Sequence, residues 1–295
     1  MKATMQQQPT RSPRAERTPF FLMSQHGEGS RLPLRRGSVV LSRLGAGRSS
    51  IKALAPSIKF VLAGEEVYRI DGRTRSVRPG EFLLVEAGTE FDVTTARNEE
   101  TIGLCVYLGA ERVPAAADAP LGRVLRGSPI DPLAGLLGRY ARVLAEQPAD
   151  GSRLAQRIVQ EATVGAEDYL TGFANRLDRL ASVKRSTRVE TLQRVERARC
   201  FLHSASARNV TLDEVAEHAA LSRFHLTRSF AAVHGVPPLT YHRGLRLEEA
   251  ALLLAGDSSS ATEIAERLGY GSLSAFTRAF RQHFGVPPSQ ARHAR

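Results

Sequence analysis

The tetrapeptide Gly-Val-Pro-Pro occurs twice, at 235–238 and 285–288, each copy the same distance behind a phenylalanine, Phe230 and Phe280. Aligning outward from the two copies exposes a longer repeat. TLDEVAEHAALSRFHLTRSFAAVHGVPP lies over SATEIAERLGYGSLSAFTRAFRQHFGVPP. Thr211, Glu214, Val215 and Ala216 match Ser260, Glu263, Ile264 and Ala265 at an offset of 49. Leu226, Arg228, Phe230 and Gly235 match Phe276, Arg278, Phe280 and Gly285 at an offset of 50. The extra residue falls at the Tyr270-Gly271 turn, where paired helices tolerate an insertion. A chain carrying this unit twice folds its last third as short helices in two similar sets.

Each copy spells out its local structure. Thr211 with Glu214, and Ser260 with Glu263, have the spacing of a capping box, in which hydroxyl and carboxylate satisfy free amide hydrogens at a helix start. Behind each box comes a core-facing apolar set: Leu212, Val215, Ala216 and Ala219, then Ile264, Ala265 and Leu268. After a turn, Ser222 or Ser272 is placed to cap a second helix. That helix ends at Gly235 or Gly285, suited to the left-handed backbone beyond a helix end. The second proline of each tetrapeptide can open the next helix, where no amide hydrogen is missed.

On a helical wheel Leu226, Phe230 and Val233 share one side of the second helix. Phe224, Arg228 and Ala231 point the opposite way, flanked by His225, Thr227 and Ala232. In the other copy Phe276 and Phe280 are the core residues; Ser274, Arg278 and Arg281 face away, with Thr277 and Gln282 beside them. An outward Thr-Arg pair on such a helix suits the DNA major groove. Arginine can donate two hydrogen bonds to guanine, threonine and serine bond either way, and apolar groups meet thymine methyls. One such helix reads as an ordinary surface helix. Two aligned copies, capped alike, favour a reader of double-stranded DNA.

The first half has a different texture. From about Ser38 to Leu108, short apolar runs (Ile58–Leu62, Val67–Ile70, Phe82–Val85, Phe91–Val93) are separated by Ala63-Gly64, Asp71-Gly72, Pro79-Gly80 and Ala87-Gly88. Asp-Gly between strand-like runs is a type I′ hairpin signal, and regular short strands indicate a closed barrel or sandwich. Val77-Arg78-Pro79-Gly80-Glu81-Phe82 in particular resembles the small barrel of the cupin fold. Many cupin enzymes hold a metal through clustered histidines, whereas this region has only His26, ahead of the strands. A metalloenzyme is therefore disfavoured, and the barrel is expected to hold a small effector or to serve as a scaffold or dimerisation module. From about 118 to 187, apolar residues at spacings of three and four predict amphipathic helices. In the segment that follows, Leu192, Val195, Ala198 and Leu202 form one stripe.

Residues from about 188 to 292 resemble the DNA-binding domain of the AraC/XylS family of bacterial transcription regulators, above all in ATEIAERLGYGSLSAFTRAFRQHFGVPPSQAR and LSRFHLTRSFAAVHGVPPLTYHRGLRLEEAALLL. Ala291 departs from the aromatic residue usual in that family. The barrel-then-helices half is similar to the effector or dimerisation domain that many members carry. The resemblance implies two helix–turn–helix units joined by a long helix, about Pro238–Leu254, with Tyr241, Leu245, Ala250 and Leu253 in buried contacts. One subunit would place two reading helices in successive major grooves, about 34 Å apart. Base-facing positions carry over to Phe224, His225, Thr227 and Arg228, and to Leu273, Ser274, Thr277 and Arg278. Leu273 alone lies nearer the core side of the wheel. Ser222, Arg223, Ser272 and Arg281 are placed for phosphate, through helix N-termini and guanidinium charge.

The expected fold class is α+β in two domains: a disordered basic arm at 1–25, a cupin-like effector or dimerisation domain at 26–187 with helices from about 118, and an all-α DNA-binding domain at 188–295. The expected function is a sequence-specific transcription regulator, an activator, and not an enzyme. Its expected partners are double-stranded DNA, RNA polymerase, a small-molecule effector and a second copy of the chain, in the cytoplasm and away from membranes. No cofactor, metal ligand or catalytic residue is assigned, and no effector-binding residue is named. Two distant cysteines, Cys105 and Cys200, offer neither a disulfide framework nor a metal pair. The net charge of +11 favours a polyanionic partner without locating it. Residues 188–295 hold 14 arginines against 10 acidic residues, so most of the surplus lies earlier in the chain. The competing readings are a cupin-type metalloenzyme and a helical-repeat scaffold for protein interaction.

Overall fold

The computed structural model describes residues 18–28, 32–96, 100–109, 124–181, 184–256 and 259–291. Glycine turns cut the first half into ten strands: β1 Phe20–Met23, β2 Val39–Leu44, β3 Gly47–Lys52, β4 Ser57–Ala63, β5 Glu66–Ile70, β6 Arg73–Val77, β7 Phe82–Val85, β8 Glu90–Thr95, β9 Thr101–Tyr107 and β10 Val124–Gly127. Six form a sheet in the order β1-β2-β9-β4-β7-β10 and four a second, β3-β8-β5-β6. The Asp71-Gly72 turn joining β5 to β6 has φ of 49° and 72°, the two positive angles that a type I′ hairpin requires. Side chains of both sheets interdigitate in a core that includes Val61, Tyr68, Ile70, Leu83, Val85 and Phe91. Behind the six-stranded sheet, α1 (Pro132–Glu146) packs on β4, β9 and β2 through Leu133, Leu137, Ala141 and Leu144, spaced by three and four.

Two stretches differ from expectation. Residues 20–23 fall within the supposed disordered arm at 1–25, yet Phe-Phe-Leu-Met pairs in parallel with β2, Phe20 opposite Val39. Four consecutive apolar side chains have more to gain from a sheet edge than from water; residues 1–17 of that arm lie outside the described residues. Likewise Val124–Gly127, inside the stretch from about 118 expected to be helical, is an edge strand antiparallel to β7. Four residues are too few to show a helical period, and residues 118–123 lie outside the described residues.

Helix α2 (Gly151–Asp178) follows α1 after a 3-10 turn at Pro148–Asp150. The chain divides into two compact units between Glu167 and Asp168, inside α2. The second unit comprises Ser128–Asp131, the last turns of α2 and seven further helices: α3 Arg185–Ser204, α4 Leu212–Ala219, α5 Arg223–His234, α6 Pro238–Gly256, α7 Ala261–Arg267, α8 Leu273–Phe284 and α9 Pro288–Ala291. The last turns of α2 are tied into it by Arg176 to Glu196, at 3.3 Å, and Asp178 to Arg188, at 3.4 Å. Leu192, Val195, Ala198 and Leu202 of α3 are all fully buried, as their stripe predicts. No described helix is long and apolar enough to cross a membrane.

Candidate nucleic-acid interface

Helices α4 and α5 make one helix–turn–helix, α7 and α8 the other. Both expected capping boxes are present: Thr211 Oγ1 accepts from the Glu214 amide while Glu214 accepts from the Thr211 amide, and Ser260 and Glu263 repeat the exchange. Ser222 Oγ accepts from the His225 amide at 3.3 Å and Ser272 Oγ from the Ala275 amide at 3.1 Å, opening α5 and α8. Gly235 and Gly285 close these helices at φ of 81° and 76°. Ala220 and Gly269 hold corresponding left-handed positions after α4 and α7, at φ of 52° and 72°. The match runs one residue further, since the Leu221 and Tyr270 amides donate to the Ala216 and Ala265 carbonyls, so the unmatched residue is Gly271. Tyr270 itself stacks edge-on against Phe276, 5.2 Å between ring centroids.

Leu226, Phe230 and Val233 of α5 and Phe276 and Phe280 of α8 are buried. This turns Arg223, Phe224, His225 and Arg228 outward on α5, and Leu273, Ser274, Arg278, Arg281 and Gln282 outward on α8; Thr227 and Thr277 are half-buried beside them. Phe224 is 77% exposed. Leu273, near the core on the wheel, is 43% exposed and lines one concave surface with Ser274, Thr277, Arg278, Arg281 and Gln282. Gln282 is a further polar group on that surface, beyond the residues carried over from the family. Neither reading helix contains an acidic residue. The side chains of Arg228, Arg278 and Arg281 have no hydrogen-bond or ion-pair partner among the described residues. Arg223 instead meets Asp213 of α4 at 3.2 Å, an exposed pair weak enough to yield to phosphate.

The long helix α6 spans the expected segment. Ala250 is buried, Leu253 packs half-buried against the same core, Tyr241 packs half-buried edge-on against Phe230 and Leu245 is half-buried. Beyond these expected residues, His242 and Arg246 also take inner positions. Their polar tips find partners there, although the Arg246 Nε has none among the described residues. His242 Nε2 lies 3.1 Å from the Ala205 carbonyl. The Arg246 guanidinium donates to Asn209 Oδ1 and to the Leu268 carbonyl and stacks over Tyr270 at 4.6 Å. Asn209 in turn donates to the Gly269 carbonyl at 2.8 Å. Arg246 thus links the segment before α4 to the end of α7, a connection between the two repeats that hydrophobic periodicity does not reveal.

A buried charge cluster anchors α5 from below. Arg199 contacts Asp131 at 2.8 Å and Glu196 at 2.6 Å, and Glu196 also meets Arg176 at 3.3 Å. His234, at the end of α5, lies 3.8 Å from Glu196 and packs on Phe230. Burial, then the charges of Arg199, Arg176 and Arg179, push the His234 pKa down to about 3. The carboxylate of Glu196 does not reverse this, because Arg199 and Arg176 already neutralise it. Burial also moves His203 and His242 downward. A histidine held neutral in the fold takes up its proton first on unfolding, so its stabilisation is complete above about pH 6.5 and is lost as pH falls. The second unit is expected to lose about 2 kcal/mol from His234 between pH 7 and pH 5. Urea denaturation across that range checks this: His234→Gln should flatten the slope, and an unchanged slope would assign it elsewhere.

Two family models match the chain: an AraC-like ligand binding domain over residues 57–162 and a helix-turn-helix domain over 215–294. A Streptomyces lividans protein described as an AraC-like transcription regulator is 40% identical over 91 residues, 31% of this chain and 30% of that protein. The transcriptional activator RhaS of an Enterobacter species is 32% identical over 120 residues, 39% of this chain and 43% of RhaS. The chain therefore spans less than half the length of either relative. Among solved structures, the C-terminal domain of AraT, a response regulator from Geobacillus stearothermophilus, is 34% identical, covering 35% of this chain and 85% of its own at a TM-score of 0.33. With a ligand-binding module of this type ahead of two capped, repeated helix–turn–helix units, the chain belongs to the AraC family of regulators.

Proposed function

We propose that the protein is a sequence-specific DNA-binding transcription regulator, not an enzyme, whose residues 188–295 grip one face of the duplex with α5 and α8 in successive major grooves. The supporting observation is the pair α5 and α8, free of carboxylates, each turning outward an arginine, Arg228 and Arg278, that has no hydrogen-bond or ion-pair partner among the described residues. Phe224, His225, Thr227 and Arg228 read bases in one groove and Leu273, Ser274, Thr277 and Arg278 in the next. Ser222, Arg223, Ser272 and Arg281 take phosphate. Both serine hydroxyls accept from helix amides, and neither donates to another group among the described residues. Residues 26–187 form the controlling module, responding to a small-molecule effector and holding two copies together, and the regulator activates through RNA polymerase in the cytoplasm.

Gel-shift titration against the DNA upstream of the protein's own gene tests this reading. Binding is expected to weaken steeply with salt, log K falling by about 0.9 per phosphate contact for each unit of log salt concentration. Absence of any shift with a fragment library at low salt would sink it.

A further inference from the structure

Asn209 and Arg246 form a joint between the two helix–turn–helix units. Asn209 stands two residues before Thr211, the cap of α4. Its Nδ2 donates at 2.8 Å to the carbonyl of Gly269, in the turn between α7 and α8, a hydrogen bond that spans 60 positions of the chain. Its Oδ1 accepts from the guanidinium of Arg246, which rises from the middle of α6 and donates also to the Leu268 carbonyl. The same guanidinium lies 4.6 Å over the Tyr270 ring, and that ring meets Phe276 of α8 edge-on. The three hydrogen bonds close a triangle between the entry to α4, the middle of α6 and the turn that leads into α8. The approach is tight: a Cβ on Gly269 would come 2.8 Å from Asn209 Nδ2, and its φ of 72° already favours glycine.

Each repeat fills its own core, Leu226, Phe230 and Val233 in the first, Phe276 and Phe280 in the second. What remains to be fixed is how one repeat is turned relative to the other. Helix α6 packs on helices of both and sets their distance along its axis. Rotation about that axis is restrained by apolar packing, which has no direction of its own. Hydrogen bonds from a planar guanidinium and an amide are directional, and they hold the rotation at one value.

We infer that Arg246 and Asn209 are positioning residues, which fix α8 relative to α5 and so set the number of base pairs between the two halves of the DNA site. The inference rests on the DNA reading proposed above and adds a spacing rule to it. One inserted base pair moves a half-site by about 3.4 Å and turns it by about 34°. A locked pair of helices cannot follow that change, whereas an unlocked pair can.

The test uses the full-length protein and an operator selected by it from random-sequence DNA, resynthesised with one base pair inserted or deleted between the halves. The wild-type protein is expected to bind the altered spacings at least about thirtyfold more weakly. In Arg246→Met that penalty should shrink to below about fivefold, with base preference inside each half unchanged. Asn209→Asp keeps the acceptor for Arg246 and loses the donor to Gly269, so its penalty should fall between the two. A bridge that served stability alone would cost affinity equally at every spacing. An unchanged penalty in a folded Arg246→Met protein therefore overturns the inference, as does a wild-type protein indifferent to spacing. Should Arg246→Met fail to fold, as hydrogen exchange would show, Asn209→Asp decides alone. Selection that returns no sequence overturns the DNA reading and this inference with it. A selected operator whose spacing neither variant relaxes overturns this inference and leaves the reading arginines untouched.

Discussion

Replacing Arg228 and Arg278 together by alanine is expected to weaken binding at the cognate DNA site by roughly 2–6 kcal/mol, about 1–3 kcal/mol from each. The two contributions should add to within about 0.5 kcal/mol, because the arginines stand on separate helices with separate cores and share no partner. Neither guanidinium has a hydrogen bond or ion pair to lose among the described residues, so the double variant should keep its stability to within about 0.5 kcal/mol. Each single variant should relax base preference at its own half of the site only. Competition assays with operators altered at one base pair at a time would show this. A loss of equal size on every sequence would mean that both arginines touch phosphate alone. Arg223 gives the contrast: because it already pairs with Asp213, its loss removes an exposed ion pair as well as any phosphate contact.

What could be read from the sequence depended on how local the chemistry is. Both capping boxes, both serine caps and both glycine ends are made within three or four residues, so residue type and spacing suffice to place them. The core side of α5 and α8 followed because phenylalanine and leucine at three-and-four spacing have one place to go. The face of α6 followed only in part, through Tyr241, Ala250 and Leu253. An arginine and a histidine look like surface residues until tertiary structure supplies the Ala205 and Leu268 carbonyls that accept from them. Leu273 lies nearer the core side of the wheel, but it is the first residue of α8, where no preceding turn covers it. Lys59 was the least legible. Strand β4 is buried on both faces, between α1 and the second sheet, so alternation gives no signal for a lysine between Ile58 and Phe60. Only the approach of β4, β5 and β9 puts it in one cavity with Glu66 and Cys105.

Phe280→Ala is expected to destabilise the second helix–turn–helix by about 3–5 kcal/mol. The ring is fully buried in a core cluster with Leu247, Ala250, Leu254, Ile264, Leu268 and Phe276, with Phe276 at 5.6 Å and Phe284 at 4.6 Å between ring centroids. Three members of that cluster belong to α6, two to α7 or its end, and one to α8 itself, so the core it helps fill joins three helices. Removal leaves a void that these short helices cannot close without giving up their own packing. Helix α5 rests on a separate set, Phe230, Leu226 and Val233, reinforced by the buried cluster of Glu196, Arg199 and His234. The loss should therefore fall on one repeat. Hydrogen exchange would show α7 and α8 deprotected while α4 and α5 keep their protection, and footprinting would show one half of the DNA site protected and the other open. Phe280→Leu retains most of the buried volume and should recover the greater part of the stability. Equal deprotection of both repeats by Phe280→Ala would show that they fold as one unit. The Arg246 bridge from Asn209 to the Leu268 carbonyl would then be the contact that couples them, and Arg246→Met would be expected to uncouple them.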